Sequence, residues 1–535
     1  MLLTEMKDRI QKHITDKRYN VITIVLALIY SVCTVLGRNI DTLDNGCYTD
    51  IRTYIRIVIF CIIYKVFIDV LVLIYESLRD YKSCASYQLS DRTFFMVAWL
   101  IFLLGWLPTY IACYPGLAIY DGPGQVSSWS RHHPFIHTAF LHLCMAIDRS
   151  FSNLSWVGVY SATQYLLFSL AFAYIIYRLK KLNVNSLYVA MLMVVTVIFP
   201  LNSLMAITTT KDVMFSVIFA IWVIEIICIA TGENEYWCER TNTIRFIAFS
   251  LLMCAFRNNG IYVLVATGLI VFCLLKSGKK RWIITTMSVA LVFGILNGPV
   301  LTMAGIPKGN AREAMSVIIQ PLARTYNCVD DEMSQEDRAS IEKLFGDAAP
   351  WYIGHISDPP KSQFDTEEFT ANKAKYMRLF VREGIEYPTV YLDALSSLTY
   401  GNWYPFETLP DDTCFRVYFE FPEKTAEEYG SRMKEYYRYL QNFSRYSCFN
   451  AIYPLRIILS NGFAFWVLLA EMAYGIYKAN RKMVVATIPS LMLWGTIMLG
   501  PVALFRYTYP LMIVNVVICG LIFRETFAKK DKDSI

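Results

Sequence analysis

The sequence predicts an all-α polytopic membrane protein with about 12 transmembrane helices, and three observations carry that prediction. Hydrophobic residues make up 55% of the 535 positions and charged residues only 18%, proportions that do not describe a soluble enzyme. The apolar residues gather in stretches near the about 20 residues that a helix needs to cross a bilayer. Lysine and arginine collect on alternate connections between those stretches, as they do when basic loops are retained on the cytoplasmic side.

Taken in order, residues 1–20 form a polar, charged segment. No small-residue cleavage site follows it, so a cleaved signal peptide is not expected. Spans are predicted at 21–37, 57–75, 94–113, 154–177, 186–206, 213–230, 246–256, 260–275 and 282–303, which makes 21–304 a membrane region. Three more follow at 457–477, 483–499 and 507–523, within a C-terminal membrane part over 456–523, and a tail over 524–535 ends the chain. With the amino terminus inside, the inner segments hold 24 lysines and arginines and the short outer segments hold eight, so both termini are expected to be cytoplasmic. The formal charge of +6 is then mainly an orientation signal and implies no nucleic-acid partner.

Residues 305–455 form the one long hydrophilic stretch, with 23 of the 44 acidic residues against 16 basic ones. It falls on the outer side and is long enough for an extracytoplasmic domain. Helical spacing is visible over 337–346 and 426–442. Cys328, Cys414 and Cys448 lie here, where an oxidising exterior permits one disulfide without specifying the pair, and a free thiol is equally compatible. The aromatic run Tyr400-Gly-Asn-Trp403-Tyr404-Pro405-Phe406 reads either as a surface for stacking sugar rings or as a segment packed on the membrane face.

The polar loop over 114–153 is where chemistry is expected. Four of the six histidines, His132, His133, His137 and His142, follow the run Tyr114-Pro-Gly-Leu-Ala-Ile-Tyr120-Asp121-Gly-Pro-Gly-Gln125 within eleven residues. Residues 135–147 are amphipathic and read as a helix lying at the outer interface. On it His133 and His137, four apart, share a face and can supply two ligands to a divalent metal, with Asp121 as a third. The alternative is imidazole bonded to lipid or backbone, and an Asp beside glycines also suits a tight turn. Three outer tips complete the set: Thr208-Thr-Thr-Lys211-Asp212, Arg257-Asn258-Asn259-Gly260, and Arg506 at the head of the last span. Asp212 suits a helix start by capping alone. Arg257 and Arg506 can snorkel to lipid phosphate, but guanidinium forks also match a bound phosphate. Lys65 and Asp69, four apart in the second span, read as a buried structural pair, and Glu225 and Glu471 read as isolated.

An outer loop with Tyr114-Pro-Gly, Tyr120-Asp121 and His132-His133-Pro134-Phe135-Ile136-His137-Thr138 precedes Thr210-Lys211-Asp212, Arg257-Asn258-Asn259-Gly260 and Phe505-Arg506-Tyr507. This pattern resembles the membrane glycosyltransferases of the GT-C fold, and within that superfamily an uncharacterised bacterial family of polytopic proteins. The likeness runs from the third span to the last, and two extra spans precede the loop. It implies an enzyme of the cytoplasmic membrane that moves a sugar from a polyprenyl-phosphate donor to an extracytoplasmic glycan, lipid or protein acceptor. It gives Asp121 the role of catalytic base. His133 would orient the acceptor or bind a metal; no cofactor is required by the likeness beyond that possible divalent ion. The substrate- and phosphate-binding set is Tyr120, His137, Lys211, Asp212, Arg257, Asn258 and Arg506. Two other classes stay open: a transporter or flippase of a lipid-linked glycan, whose mark would be similar halves or interrupted helices, and a non-catalytic assembly protein.

Overall fold

A backbone in hydrocarbon must satisfy its own hydrogen bonds, and a continuous apolar run does so most simply as a helix. The computed structural model describes residues 13, 15–79, 87–127, 129–151, 155–329, 332–407, 421–444 and 453–532, and among them all extended regular structure is helical. The first part holds α1 (Lys17–Leu43), α2 (Ile51–Arg79), α3 (Asp91–Ala112), α4 (Gly122–Ser127), α5 (Phe135–Ser150), α6 (Trp156–Lys181), α7 (Ser186–Ile198) and α8 (Pro200–Ala206). Then come α9 (Lys211–Gly232), α10 (Arg240–Phe256), α11 (Gly260–Leu274) and α12 (Lys279–Ile295), the last running through a π-turn (Leu296–Val300). The hydrophilic stretch adds α13 (Ser316–Val329), α14 (Gln335–Leu344), α15 (Asp358–Gln363), α16 (Thr366–Ala371), α17 (Lys373–Glu386), α18 (Pro388–Thr399), α19 (Ala426–Tyr429) and α20 (Lys434–Ser444). The chain closes with α21 (Tyr453–Ile458), α22 (Asn461–Tyr477), α23 (Arg481–Ile497) and α24 (Phe505–Lys532).

Seven of these helices are long and apolar enough to cross a membrane, and eight if the bent pair α7–α8 counts as one span. The protein is therefore a polytopic helical membrane protein. Each of the twelve expected stretches lies mostly on helix, but 457–477 is broken between α21 and α22, α10, α22 and α23 have 17 residues each, and α11 has 15. The stretch 186–206 is not one rod, because Pro200 starts a new helix and the two halves meet at 66°.

The centre of the bundle is α9, apolar all round and with 89% of its apolar window buried against α6, α10, α23 and α24. At the other extreme α2 has 6% of its window buried and leans mainly on α1. Glu225 on α9 is not isolated as expected: Arg178 Nη1 (2.5 Å), Arg245 Nε (2.9 Å) and the Tyr236 hydroxyl (2.7 Å) all donate to it, which is how a fully buried carboxylate is sustained. Lys65 and Asp69 do pair (2.6 Å), and the Tyr19 hydroxyl adds a third member.

The stretch 305–455 divides structurally. Helices α13, α14, α16 and α17 bury Ile319, Leu322, Ile341, Leu344, Phe369 and Tyr376 in a core of their own. In contrast, α19 and α20 send Ala426, Tyr437 and Leu440 into the core of the bundle. The expected helix over 426–442 breaks at Gly430, which takes φ +74. The aromatic run is packed rather than presented: Tyr400 and Tyr404 are buried, and the Trp466 and Trp494 indoles donate to the Trp403 and Asn402 carbonyls. Cys328 is exposed, whereas Cys414 and Cys448 lie outside the described residues.

Candidate functional site

The loop after α3 reaches the start of α9 through backbone pairing. Leu117 N donates to Ile207 O and Thr209 N donates to Leu117 O, both at 3.0 Å, so the two polar tips run side by side. Gly122 lies so close to Thr209 that a β-carbon would strike its carbonyl oxygen and side chain. Tyr120, at φ +56, turns the chain in the left-handed region between them. Thr210 then caps α9 by accepting from Asp212 N, which corrects the expectation that Asp212 is the cap.

This arrangement puts Lys211 Nζ against Asp121 Oδ2 and 3.3 Å from His133 Nδ1. From the far end of the sequence, Arg506 Nη1 stands 3.3 Å from Asp121 Oδ2 and 3.7 Å from Asp212 Oδ2. Arg257 Nη1 is 3.3 Å from Asp212 Oδ1. The Tyr507 ring lies between the two guanidiniums, 4.5 Å from Arg257 and 5.2 Å from Arg506, and Tyr120 covers Arg506 at 4.6 Å. Both arginine side chains are thus buried in the cluster instead of extended to lipid. Asp212 is fully buried, whereas the Asp121 side chain keeps 26% of its surface exposed. Three cations face two carboxylates, and Arg257 Nη1 and Arg506 Nε make no hydrogen bond among the described residues.

The electrostatics follow from this packing. Burial alone pushes the Asp121 pKa up, but the charges of Lys211 and Arg506 and the Lys211 hydrogen bond outweigh it and hold the carboxyl well below the usual carboxylate range. For His133, burial and then the Lys211 charge press the imidazole down to about 4. It is neutral at pH 7 and can accept from the Lys211 ammonium.

Two expected residues serve the site from behind. His133 precedes α5, which starts at Phe135, so the two histidines do not share a helical face as expected: the residue before Pro134 is disfavoured from helical backbone. His137 is fully buried and bonds Gln125 Oε1 and the Tyr160 hydroxyl, each at 2.8 Å. Tyr160 continues to Gln164 Oε1 (2.9 Å), and Gln164 Nε2 donates to Thr208 O (2.7 Å), which ties α4, α5 and α6 to the tip that carries Lys211. Asn258 holds the histidine loop by donating to the carbonyls of Arg131 (3.2 Å) and His132 (3.0 Å). Arg131 reaches the carbonyls of Asn297 and Gly298 in the π-turn, which Pro299 interrupts. Beside Asn258 an apolar groove of about 340 Å³ opens between α5, α10 and the π-turn, with Phe135, Ile136, Leu252 and Val300 on its walls. Among the described residues no group of three or more metal-ligating side chains is placed to hold an ion.

The residues that converge here come from α3 onward, and so does a family match that spans residues 110–535, described as "Family of unknown function (DUF6020)". The chain belongs to the DUF6020 family. No curated protein and no solved structure matches it. The DUF6020 region takes in the whole charge cluster and leaves α1, α2 and most of α3 ahead of it. Sequence reasoning quoted Gln125 and Tyr507 within its motifs but gave them no role, and it missed Tyr160 and Gln164. Gln164 carried the clearest signal, as a lone amide in an apolar span.

Proposed function

We propose that this DUF6020 protein is an integral-membrane glycosyltransferase with twelve crossings and GT-C-like architecture, moving a sugar from a polyprenyl-phosphate donor to an extracytoplasmic acceptor. One observation carries the reading: Asp121 is the least covered of five charged side chains in a cationic cluster whose guanidiniums retain unused N–H donors. Lys211, Arg257 and Arg506 suit the phosphate of the donor, and the adjacent apolar groove suits its prenyl chain. In the displacement, the acceptor hydroxyl oxygen bonds to the anomeric carbon while its proton passes to Asp121. The bond from that carbon to the phosphate oxygen breaks, and its electron pair leaves on the lipid phosphate, with inversion.

A carboxylate held strongly ionised is a weak base. The incoming phosphate resolves this, because its negative charge occupies Lys211 and Arg506 and lets the Asp121 pKa rise toward the working range. Charge that builds on the departing phosphate then meets donors already in place. His133, neutral and bonded to Lys211, orients the ammonium or the acceptor. A divalent ion at Asp121 and His133 would displace the Lys211 ammonium that both contact, and sensitivity to EDTA would mark that arrangement.

The test is sugar transfer by the purified protein from a labelled polyprenyl-phosphate sugar. Asp121→Asn is expected to lower the rate at least about a hundredfold, the lower end of a general-base contribution. Equal rates in the two proteins would remove Asp121 as the base. The bent pair α7–α8 favours a second reading, transport of a lipid-linked glycan, since an interrupted helix is a transporter device. Transbilayer movement of the donor without any product would support it.

A further inference from the structure

Thirteen residues along α24 from Arg506, about 20 Å at the helical rise, Cys519 lies on the wall of a second cavity. This one, of about 300 Å³, is enclosed by α1, α2, α22 and α24, and its walls are almost wholly apolar, with Leu26, Ile68 and Val467 among them. One acid interrupts them. Glu471 is 2% exposed; its Oε1 accepts from Cys519 Sγ at 3.2 Å, and its Oε2 has no hydrogen-bond partner among the described residues. Ionisable groups inside a span are costly and mark binding or conduction.

The neighbouring acids differ in one respect. Asp69 has Lys65 at 2.6 Å, and Glu76 has His13 at 2.8 Å and Lys478 at 3.7 Å. Among the described residues Glu471 has no cation within ion-pair distance. Around the same cavity stand Tyr19, Tyr75, Tyr474 and Tyr477, with edge-on pairs Tyr19–Tyr477 and Tyr75–Tyr474 at centroid distances of 5.2 and 5.8 Å. Tyr30, also on the wall, is near enough to Glu471 to feel its charge, and an aromatic ring beside a buried acid suits an ammonium group. Because α2 is so little buried and touches α24 sparsely, the cavity wall on that side faces the bilayer.

We propose that this cavity binds a cationic amphiphile, an apolar chain bearing an ammonium group, with the ammonium at Glu471 beside Tyr30. The site is independent of sugar transfer and uses none of the Asp121 cluster. The chain lies against α1 and α2, and the ammonium donates to the vacant oxygen of Glu471.

The test uses the full-length protein in nanodiscs of zwitterionic phospholipid and a long-chain aliphatic amine carrying a photoreactive diazirine. Saturable labelling is expected on peptides of α1, α2 and α22, competed by dodecylamine in its ammonium form and not by dodecanol. Glu471→Gln should weaken it at least about tenfold, as loss of a desolvated charge partner does. Ala470→Phe should block it by volume with the carboxyl intact. Labelling elsewhere, equal competition by dodecanol, or full labelling of both variants would overturn the site. If Glu471→Gln does not fold, the mapping and competition on the wild-type protein still decide.

Discussion

At the scale of single residues, Lys211 sets the electrostatics, because its ammonium contacts both Asp121 and His133. Lys211→Met is expected to cost transfer about a hundredfold or more, the size seen when one preorganised donor is removed. Asp212→Asn acts differently. It leaves Arg257 and Arg506 buried with one counter-charge fewer, and the loss of stability is expected near 3–5 kcal/mol, read as a fall in the thermal midpoint in detergent. The histidines give a pH dependence of definite sign. Burial, then the Lys211 charge, depresses His137 to about 3, and His133 is held at about 4. Both lie below the unfolded value near 6.5. Between about pH 6.5 and 4 the unfolded chain therefore binds more protons, so stability is full above that window and falls as pH drops through it. Thermal midpoints at stepped pH should show that slope, and His137→Gln should make it shallower.

At the scale of elements, the site depends on the close approach of the loop after α3 to the start of α9. Gly122→Ala should push Asp121 away from Lys211, since the added carbon meets the Thr209 carbonyl. Transfer should fall at least about tenfold, as misplacement of a reacting group does, while the far-ultraviolet dichroism of the bundle stays unchanged. The helical runs were legible because hydrocarbon leaves an apolar stretch few alternatives, and the loop stood out because its polar residues cannot enter the bilayer. Pro200 and Pro134 each carried information that periodicity alone overrode: one breaks the fifth stretch and the other keeps His133 off α5. Glu225 was illegible for another reason. Its partners Arg178 and Arg245 lie 47 and 20 residues away, and only the packing of α6 and α10 on α9 makes them neighbours.

At the scale of the whole molecule, α9 and α24 begin at the cluster and α10 ends there, so three helices of alternating direction present their ends at one face of the bundle. That alternation makes the convergence of Asp121, Lys211, Arg257 and Arg506 a statement about sidedness, and it can be tested without any substrate. Gly124 has open space where a β-carbon would sit, and Lys280 is exposed in the first turn of α12. In a background with Cys238, Cys273 and Cys328 changed to serine, Gly124→Cys should react with an impermeant maleimide on intact cells. Lys280→Cys should react only after permeabilisation if the basic residues around it keep that helix start on the cytoplasmic side, as the proposed orientation requires. Reaction of Lys280→Cys alone on intact cells would put the Asp121 face on the wrong side for an extracytoplasmic acceptor. The glycosyltransferase reading would then fall, while the charge cluster and the Glu471 cavity, which rest on packing alone, would stand.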